Sequence, residues 1–240
     1  MTNYLYTYPP LESGIIIKRY KRFLADIELD DGALITAHCP NTGPMLGVYE
    51  PGKKVQVSRS DNPKRKLPYT WEMIEIDGVW VGTNTAIPNR VVKLALEQQL
   101  IPELKGRYTT VKSEVPYGEQ NKSRIDFLLT GNDGQIPIYV EVKNTTLTQG
   151  KLALFPDTVT TRGQKHLQEL TALGPDRQGA MFYFVNRGDC HSFNAGADYD
   201  PQYADLLSKA IAAGVEVLPY GFEVSPQGIK LKEKLDFHGG

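Results

Sequence analysis

The chain has 240 residues, 40% of them apolar and 23% charged, enough to build one large domain or two small ones. Its formal net charge of -1 excludes a global basic field, so any grip on nucleic acid must come from local patches. The two cysteines, Cys39 and Cys190, form no C-x-x-C pair and exclude a disulfide framework. No apolar run approaches the ~20 residues of a membrane span, and the start lacks the basic-then-apolar order of a signal peptide. A reduced cytoplasmic protein with no membrane contact is expected.

From about Leu11 to Ala86 the chain reads as short strands and turns. Ile15-Ile16-Ile17 is β-rich. The run Phe23 to Leu29 alternates and ends at Asp30-Asp31-Gly32, and Ala33 to Ala37 follows as its hairpin mate. Pro40 to Pro44 is a loop. Lys53 to Ser58 alternates, and Trp71 to Ile76 and Val79 to Val81 flank the turn Asp77-Gly78. About five short strands without a helix predict a small barrel, with the OB-fold as one form.

The pattern changes near Pro88. Asn89 to Leu100 carries Val91, Val92, Leu94, Ala95 and Leu96, the pattern of a buried helix. Strands are predicted at Tyr108–Pro116, Arg124–Leu129 and Ile136–Lys143, then a helix over Thr161–Leu173. Ala180–Val185 reads as a buried central strand, Tyr203–Ala213 as a helix, Val215–Pro219 as a strand and Phe222–Lys230 as an edge hairpin. This order predicts an α/β sheet covered by helices.

Gly131-Asn132-Asp133-Gly134 is a strong hairpin signal between two of these strands. Glu141 and Lys143, two apart, share a strand face, and the hairpin can bring Asp126 to the same end. Two carboxylates and a lysine can hold Mg²⁺ or Mn²⁺ and aim a water at a phosphodiester. Asp126 and Glu141 are the expected metal ligands, and Lys143 the group that orients water. Ordinary charges on a surface hairpin give the same short string, as Glu103-Leu104-Lys105 shows; that copy lies in a helix-ending loop. Gln164 and Lys165, in the first turns of the following helix, are the further candidates for the scissile region. Asp157 and Glu114 are extra carboxylates with a structural role as the alternative. His38-Cys39 and Cys190-His191 would suit zinc if adjacent, but buried thiols are the simpler reading.

Arg19-Tyr20-Lys21-Arg22 and Lys64-Arg65-Lys66 interleave cations with an aromatic, which suits a groove that tracks a nucleic-acid backbone. Arg59 and Arg90 could extend it. The alternative is a solvated charge run balanced by Asp26, Glu28, Asp30 and Asp31. No nucleophile elbow, phosphate-binding loop or dinucleotide fingerprint is present.

Longer strings carry a family likeness: Arg19 through Asp26, His38-Cys39-Pro40-Asn41-Thr42-Gly43, Asp61 through Lys66, Ser123 through Phe127, Tyr139 through Lys143, and Phe155-Pro156-Asp157 through Leu167. Over nearly its whole length the chain resembles the sugar fermentation stimulation protein A family. The resemblance implies an all-β, OB-like barrel over residues 1–86 and an α/β domain of the PD-(D/E)xK nuclease superfamily over 87–240. It places Asp126, Glu141 and Lys143 in the superfamily pattern, with Gln164 or Lys165 at the usual helix position. Ile125 stands where the namesake proline would be. The resemblance implies DNA as the partner, single-stranded or structured, and a link to bacterial sugar-utilisation genes. Nuclease domains of this kind often pair, so a homodimer is compatible. A non-catalytic regulator of maltose-type genes is the alternative function, because fold alone does not establish activity.

Overall fold

The structure, a computed structural model, describes residues 4–237; residues 1–3 and 238–240, the outer ends of the two expected domains, lie outside it. Six strands come first: β1 (Leu11–Tyr20), β2 (Leu24–Leu29), β3 (Leu34–His38), β4 (Lys54–Arg59), β5 (Tyr69–Ile76) and β6 (Val79–Gly82). β1 pairs antiparallel with β2 and β4, β2 with β3, and β4 with β5. A short parallel pairing of Ala37 and His38 with Tyr69 and Thr70 joins β3 to β5 and closes a five-stranded barrel. Period-two alternation fills it: Ala25, Ile27 and Leu29 point inward with Ile16, Val55, Val57 and Trp71, while Glu28 points out. This is the expected OB-like barrel, with β6 added as a hairpin mate of β5.

The second part runs α1 (Ile87–Glu97), β7 (Thr110–Tyr117), β8 (Ser123–Thr130), β9 (Ile138–Thr145), β10 (Leu147–Gln149), β11 (Leu152–Phe155), α2 (Thr161–Thr171), β12 (Gln178–Val185), β13 (Ser192–Ala195), α3 (Pro201–Ala212), β14 (Glu216–Ser225), β15 (Gly228–Lys234) and β16 (Asp236–Phe237). The main sheet is mixed, in the order β15-β14-β12-β9-β8-β7. β12, apolar throughout its last six residues, lies parallel between β14 and β9 and is buried on both faces. α1 buries Val91, Val92, Ala95 and Leu96 against one face, and α2 and α3 cover the other through Leu167, Leu170, Tyr203 and Leu207.

A second, four-stranded sheet, β10-β11-β13-β16, was not predicted. Its strands have two to four residues, too short to show alternation, and β11 finds β13 only through the tertiary fold. Cys39 and Cys190 are buried in different apolar clusters, which removes the zinc pairing. Among the described residues no helix is long and apolar enough to cross a membrane.

Candidate active site

The hairpin of β8 and β9 forks where the site begins. Its ladder pairs Leu129 with Ile138, Leu128 with Tyr139 and Phe127 with Val140, and stops there. The next residue on each strand is an acid, Asp126 on one and Glu141 on the other. The Val142 N–H, left without a partner on β8, donates to Asp126 Oδ2 at 2.7 Å. Asn89, in the first turn of α1, donates from Nδ2 to Asp126 Oδ1 at 2.7 Å. Lys143 Nζ donates to Glu141 Oε1 at 2.8 Å and lies 3.2 Å from His166 Nδ1. His166, on α2, also hydrogen-bonds Glu141 Oε1 through Nδ1. Asp126, Glu141 and Lys143 are therefore brought together, and His166 joins them.

This cluster is largely withdrawn from water, with side-chain exposures of 4% for Glu141, 11% for Lys143 and 6% for His166. Burial, then the negative charge of Glu141, pushes the Asp126 carboxyl up to about 6. Burial acts on Glu141 in the same sense, but the His166 hydrogen bond and the Lys143 charge outweigh it and hold this carboxyl below its ordinary value. Glu141 Oε2 is buried and has no hydrogen-bond partner among the described residues. An orphaned carboxylate oxygen beside a second carboxyl that resists ionisation is a donor set suited to a hard divalent cation. No group of three His, Cys, Asp or Glu side chains forms a complete cage among the described residues. The pair thus fits an ion that keeps waters or substrate oxygens in its shell, as Mg²⁺ does.

The two other expected site residues are used elsewhere. Gln164 is buried, and its Nε2 donates to both carboxylate oxygens of Asp200 at 2.9 and 3.0 Å. Asp200 caps α3 by accepting from the Tyr203 N–H, so Gln164 ties α2 to α3. Lys165 Nζ donates to Ser123 Oγ at 2.9 Å and lies 3.5 Å from Glu169 Oε1. The reason is helical phase: on α2 the residue facing Glu141 is His166, one position beyond Lys165. Glu114 lies opposite Asp126 in the β7–β8 register but is exposed on the edge strand. Asp157 lies in the loop after β11, where burial raises its carboxyl.

The basic residues of the barrel gather at one end. The turn Lys21-Arg22-Phe23 precedes Leu24, which pairs with His38; His38 also pairs with Thr70, which follows the loop bearing Lys64, Arg65 and Lys66. Lys21, Arg22, Lys64 and Lys66 are exposed. Arg19 is partly committed to the fold, donating to the carbonyls of Asn41 and Gly43 at 2.9 and 2.8 Å. Arg22 Nε donates to the Thr42 carbonyl at 2.7 Å, the Tyr20 hydroxyl to Asp26, and Arg65 to the Thr70 hydroxyl. Arg59 lies over the Tyr69 ring. Arg90 faces Tyr6 and Glu72 between the two parts of the molecule, not the basic end.

Sequence reasoning did not single out Asn89 or His166. A histidine between the core positions Gly163 and Leu167 of the helix that follows a Glu-x-Lys strand was the available signal.

Comparisons with known proteins agree with this architecture. A family model described as "SfsA N-terminal OB domain" matches residues 17–83, and one described as "Sugar fermentation stimulation protein RE domain" matches residues 86–228. Sugar fermentation stimulation protein homologs from Crocosphaera subtropica and Rippkaea orientalis are 63% and 64% identical, the first over 95% of both chains, the second over 95% of this chain and 94% of its own. The solved structure of Pyrococcus furiosus SfsA in complex with Ca²⁺ superposes with a TM-score of 0.87 at 27% identity, covering 98% of this chain and 99% of that one. Matched in both parts and along nearly its full length, the chain belongs to the sugar fermentation stimulation protein family.

Proposed function

We propose that this protein binds DNA and hydrolyses phosphodiesters with a divalent metal ion held by Asp126 and Glu141. The observation that carries the reading is the forked hairpin. It sets two acids opposite one another where the ladder opens, with Lys143 and His166 beside them and one buried carboxylate oxygen left over. The solved relative is a complex with Ca²⁺, which supports a divalent ion of the oxygen-seeking class. Mg²⁺ or Mn²⁺, when bound, would supply charge for the phosphate and a more acidic water.

The chain's own residues do the rest. Glu141 Oε1 fixes the Lys143 ammonium, and His166 fixes the same oxygen from α2, so the cation is held at the fork. An ammonium in this low-dielectric place stabilises negative charge building on the phosphate and orients the attacking water. Asn89 and the Val142 N–H hold both oxygens of Asp126 in one plane of approach. The exposed cations at one end of the barrel would meet the nucleic-acid backbone. Localisation in the cytoplasm is consistent with buried free thiols.

A second reading is a regulator that uses the same surface only to grip DNA, and the hydrogen bonds that already occupy both Asp126 oxygens favour it. One assay separates the two: cleavage of single-stranded, duplex and flapped DNA and of RNA, with Mg²⁺ and then Mn²⁺. Cleavage lost in Asp126→Ala and Lys143→Ala, by 10²-fold or more, is the expected result. Metal-independent, salt-sensitive binding with no cleavage, unchanged in both variants, would establish the regulator instead.

A further inference from the structure

Past the catalytic strand lies a cavity of about 230 Å³ that the chemistry above does not use. It sits between the barrel's Pro40–Gly47 loop and the far end of β9, with Asn41, Asn144, Thr145, Leu154, Phe155 and Asp157 in its wall. Thr145 is two residues beyond Lys143 on the same strand, hence on the same face and about 7 Å further along. The volume is below the range of about 300–1,000 Å³ typical of pockets for drug-sized ligands, so it suits one compact group.

Its polar groups are arranged for a ligand. Thr145 is 1% exposed, yet its Oγ1 has no hydrogen-bond partner among the described residues. Asn144 Oδ1 is occupied by Asn186 Nδ2 at 3.0 Å, which leaves the Asn144 amide N–H₂ as a donor. Asn41 Oδ1 likewise accepts from the Gly43 N–H at 2.9 Å, leaving its own N–H₂. Asp157 supplies a carboxyl and is the one titratable side chain in the wall among the described residues. Leu154 and Phe155 add an apolar side. A site with amide donors, a hydroxyl, one acid and no cation offers a phosphate no counter-charge and suits a neutral, hydrogen-bonding ring.

The rim leads to the basic turn. Arg19 and Arg22 together bind the carbonyls of Asn41, Thr42 and Gly43, three residues in succession. The loop that carries Asn41 is therefore held by the same turn that exposes Lys21. A strand whose phosphates followed that turn would run along the loop that forms one wall of the cavity. We infer that this cavity takes a single unstacked nucleobase of a single-stranded or locally opened nucleic acid, upstream or downstream of the scissile phosphate. The inference rests on the nucleic-acid reading above and names the substrate form. Reading an extruded base by edge hydrogen bonds and an apolar wall is a known solution for proteins that act on opened strands.

The test uses the full chain carrying Glu141→Gln, so that binding is measured without turnover. Fluorescently labelled single-stranded DNA is compared with the same oligonucleotide made abasic at each position in turn, and with 2-aminopurine at the sensitive position. One abasic position is expected to weaken binding about tenfold, the equivalent of about 1.4 kcal/mol, and 2-aminopurine there is expected to change its emission on binding. Thr145→Val and Asn41→Ala should remove the emission change and the abasic penalty while retaining backbone binding. Thr145→Val removes a hydroxyl that makes no bond in the fold, so its melting temperature should not fall. Tight binding with no sensitive position, or pocket variants that leave both signals intact, would overturn the inference and leave the nucleic-acid reading standing. Absence of any DNA binding would overturn both. Stabilisation by glucose or maltose that Thr145→Val abolishes would assign the cavity to a sugar instead.

Discussion

Asp126 connects the physics of burial to a measurable property of the site. Its folded value of about 6 lies above that of an exposed aspartate because burial and Glu141 oppose its charge. The sign follows from proton linkage: a carboxyl raised in the folded state stabilises the fold below its unfolded value, and that contribution is lost as pH rises toward 6. Glu141 is shifted the opposite way, held below its ordinary value by the His166 hydrogen bond and the Lys143 charge. A divalent cation reverses the penalty by pairing with the ionised form, but below pH 6 it must displace a proton first. Saturating Ca²⁺ or Mn²⁺, at about 100 times its dissociation constant, is worth about 2.7 kcal/mol, or on the order of 5–10 °C for a chain of this size. Thermal melts should therefore show the larger cation-induced rise at pH 7.5, and a rise smaller by about 1.4 kcal/mol at pH 5, where one proton competes with about tenfold effect. Asp126→Ala should remove both the rise and its pH dependence. An equal rise at the two pH values would mean that the cation binds elsewhere.

At the scale of elements, the turn between β1 and β2 shows how a local compromise serves a surface. Lys21 and Arg22 both have positive φ, 48° and 65°, the left-handed backbone of a tight hairpin turn that usually selects Asn or Gly. Two long cations there cost roughly 1–2 kcal/mol each relative to an unstrained backbone, which the fold itself does not require. Lys21→Gly should leave the melting temperature equal or higher, because relief of strain offsets the ~0.5–1 kcal/mol entropic cost of glycine. The same variant should flatten the salt dependence of single-stranded DNA binding by about 0.7 in log–log slope, one phosphate contact. An unchanged slope would remove Lys21 from the interface.

The hairpin that carries the site was readable because its signals are local: Gly-rich turn, period-two alternation and a Glu-x-Lys pair on one face. The fork was not, since where this ladder stops is set together with the pairing of β9 to β12 and of β8 to β7, which is long-range. His166 was hidden by helical phase, which a three-residue window around Gln164 and Lys165 does not resolve. Gln164 looked available because nothing local announces Asp200, which lies 36 residues further on. The cavity wall escapes a linear reading for the same reason, drawing on residues 41, 144 and 157.

At the scale of the whole molecule, the barrel keeps an apolar core of its own, and an apolar seam joins it to the α/β part. Met73 of β5 lies in the same cluster as Val91 and Ala95 of α1 and Val140 of β9, with Leu5, Tyr6 and Tyr8 packed against it. The chain's first described segment crosses over to hydrogen-bond Ile229 of β15, through Leu5 and Tyr6. Buried Glu72 of β5 accepts from Asn84 Nδ2 at 2.7 Å, just ahead of α1, and Arg90 lies close enough to favour its charge. Gly82 and Asn186 lock the junction: the Gly82 N–H donates to the Asn186 carbonyl at 3.0 Å, and Asn186 Nδ2 donates back to the Gly82 carbonyl at 3.2 Å. An interface this apolar couples its halves, in contrast to the polar contacts that let domains move freely. Calorimetry should therefore give one cooperative transition for the whole chain. A Cβ at Gly82 would overlap the Asn186 side chain, which is itself buried. Gly82→Ala should separate the barrel's melting from that of the α/β part, or lower the single transition by several degrees. The orientation of the basic end relative to the fork depends on this junction, so the same variant should weaken cleavage more than it weakens DNA binding by the barrel. Two independent transitions in the unaltered protein would refute this coupling, and with it the idea that the barrel delivers its strand to the fork at a fixed angle.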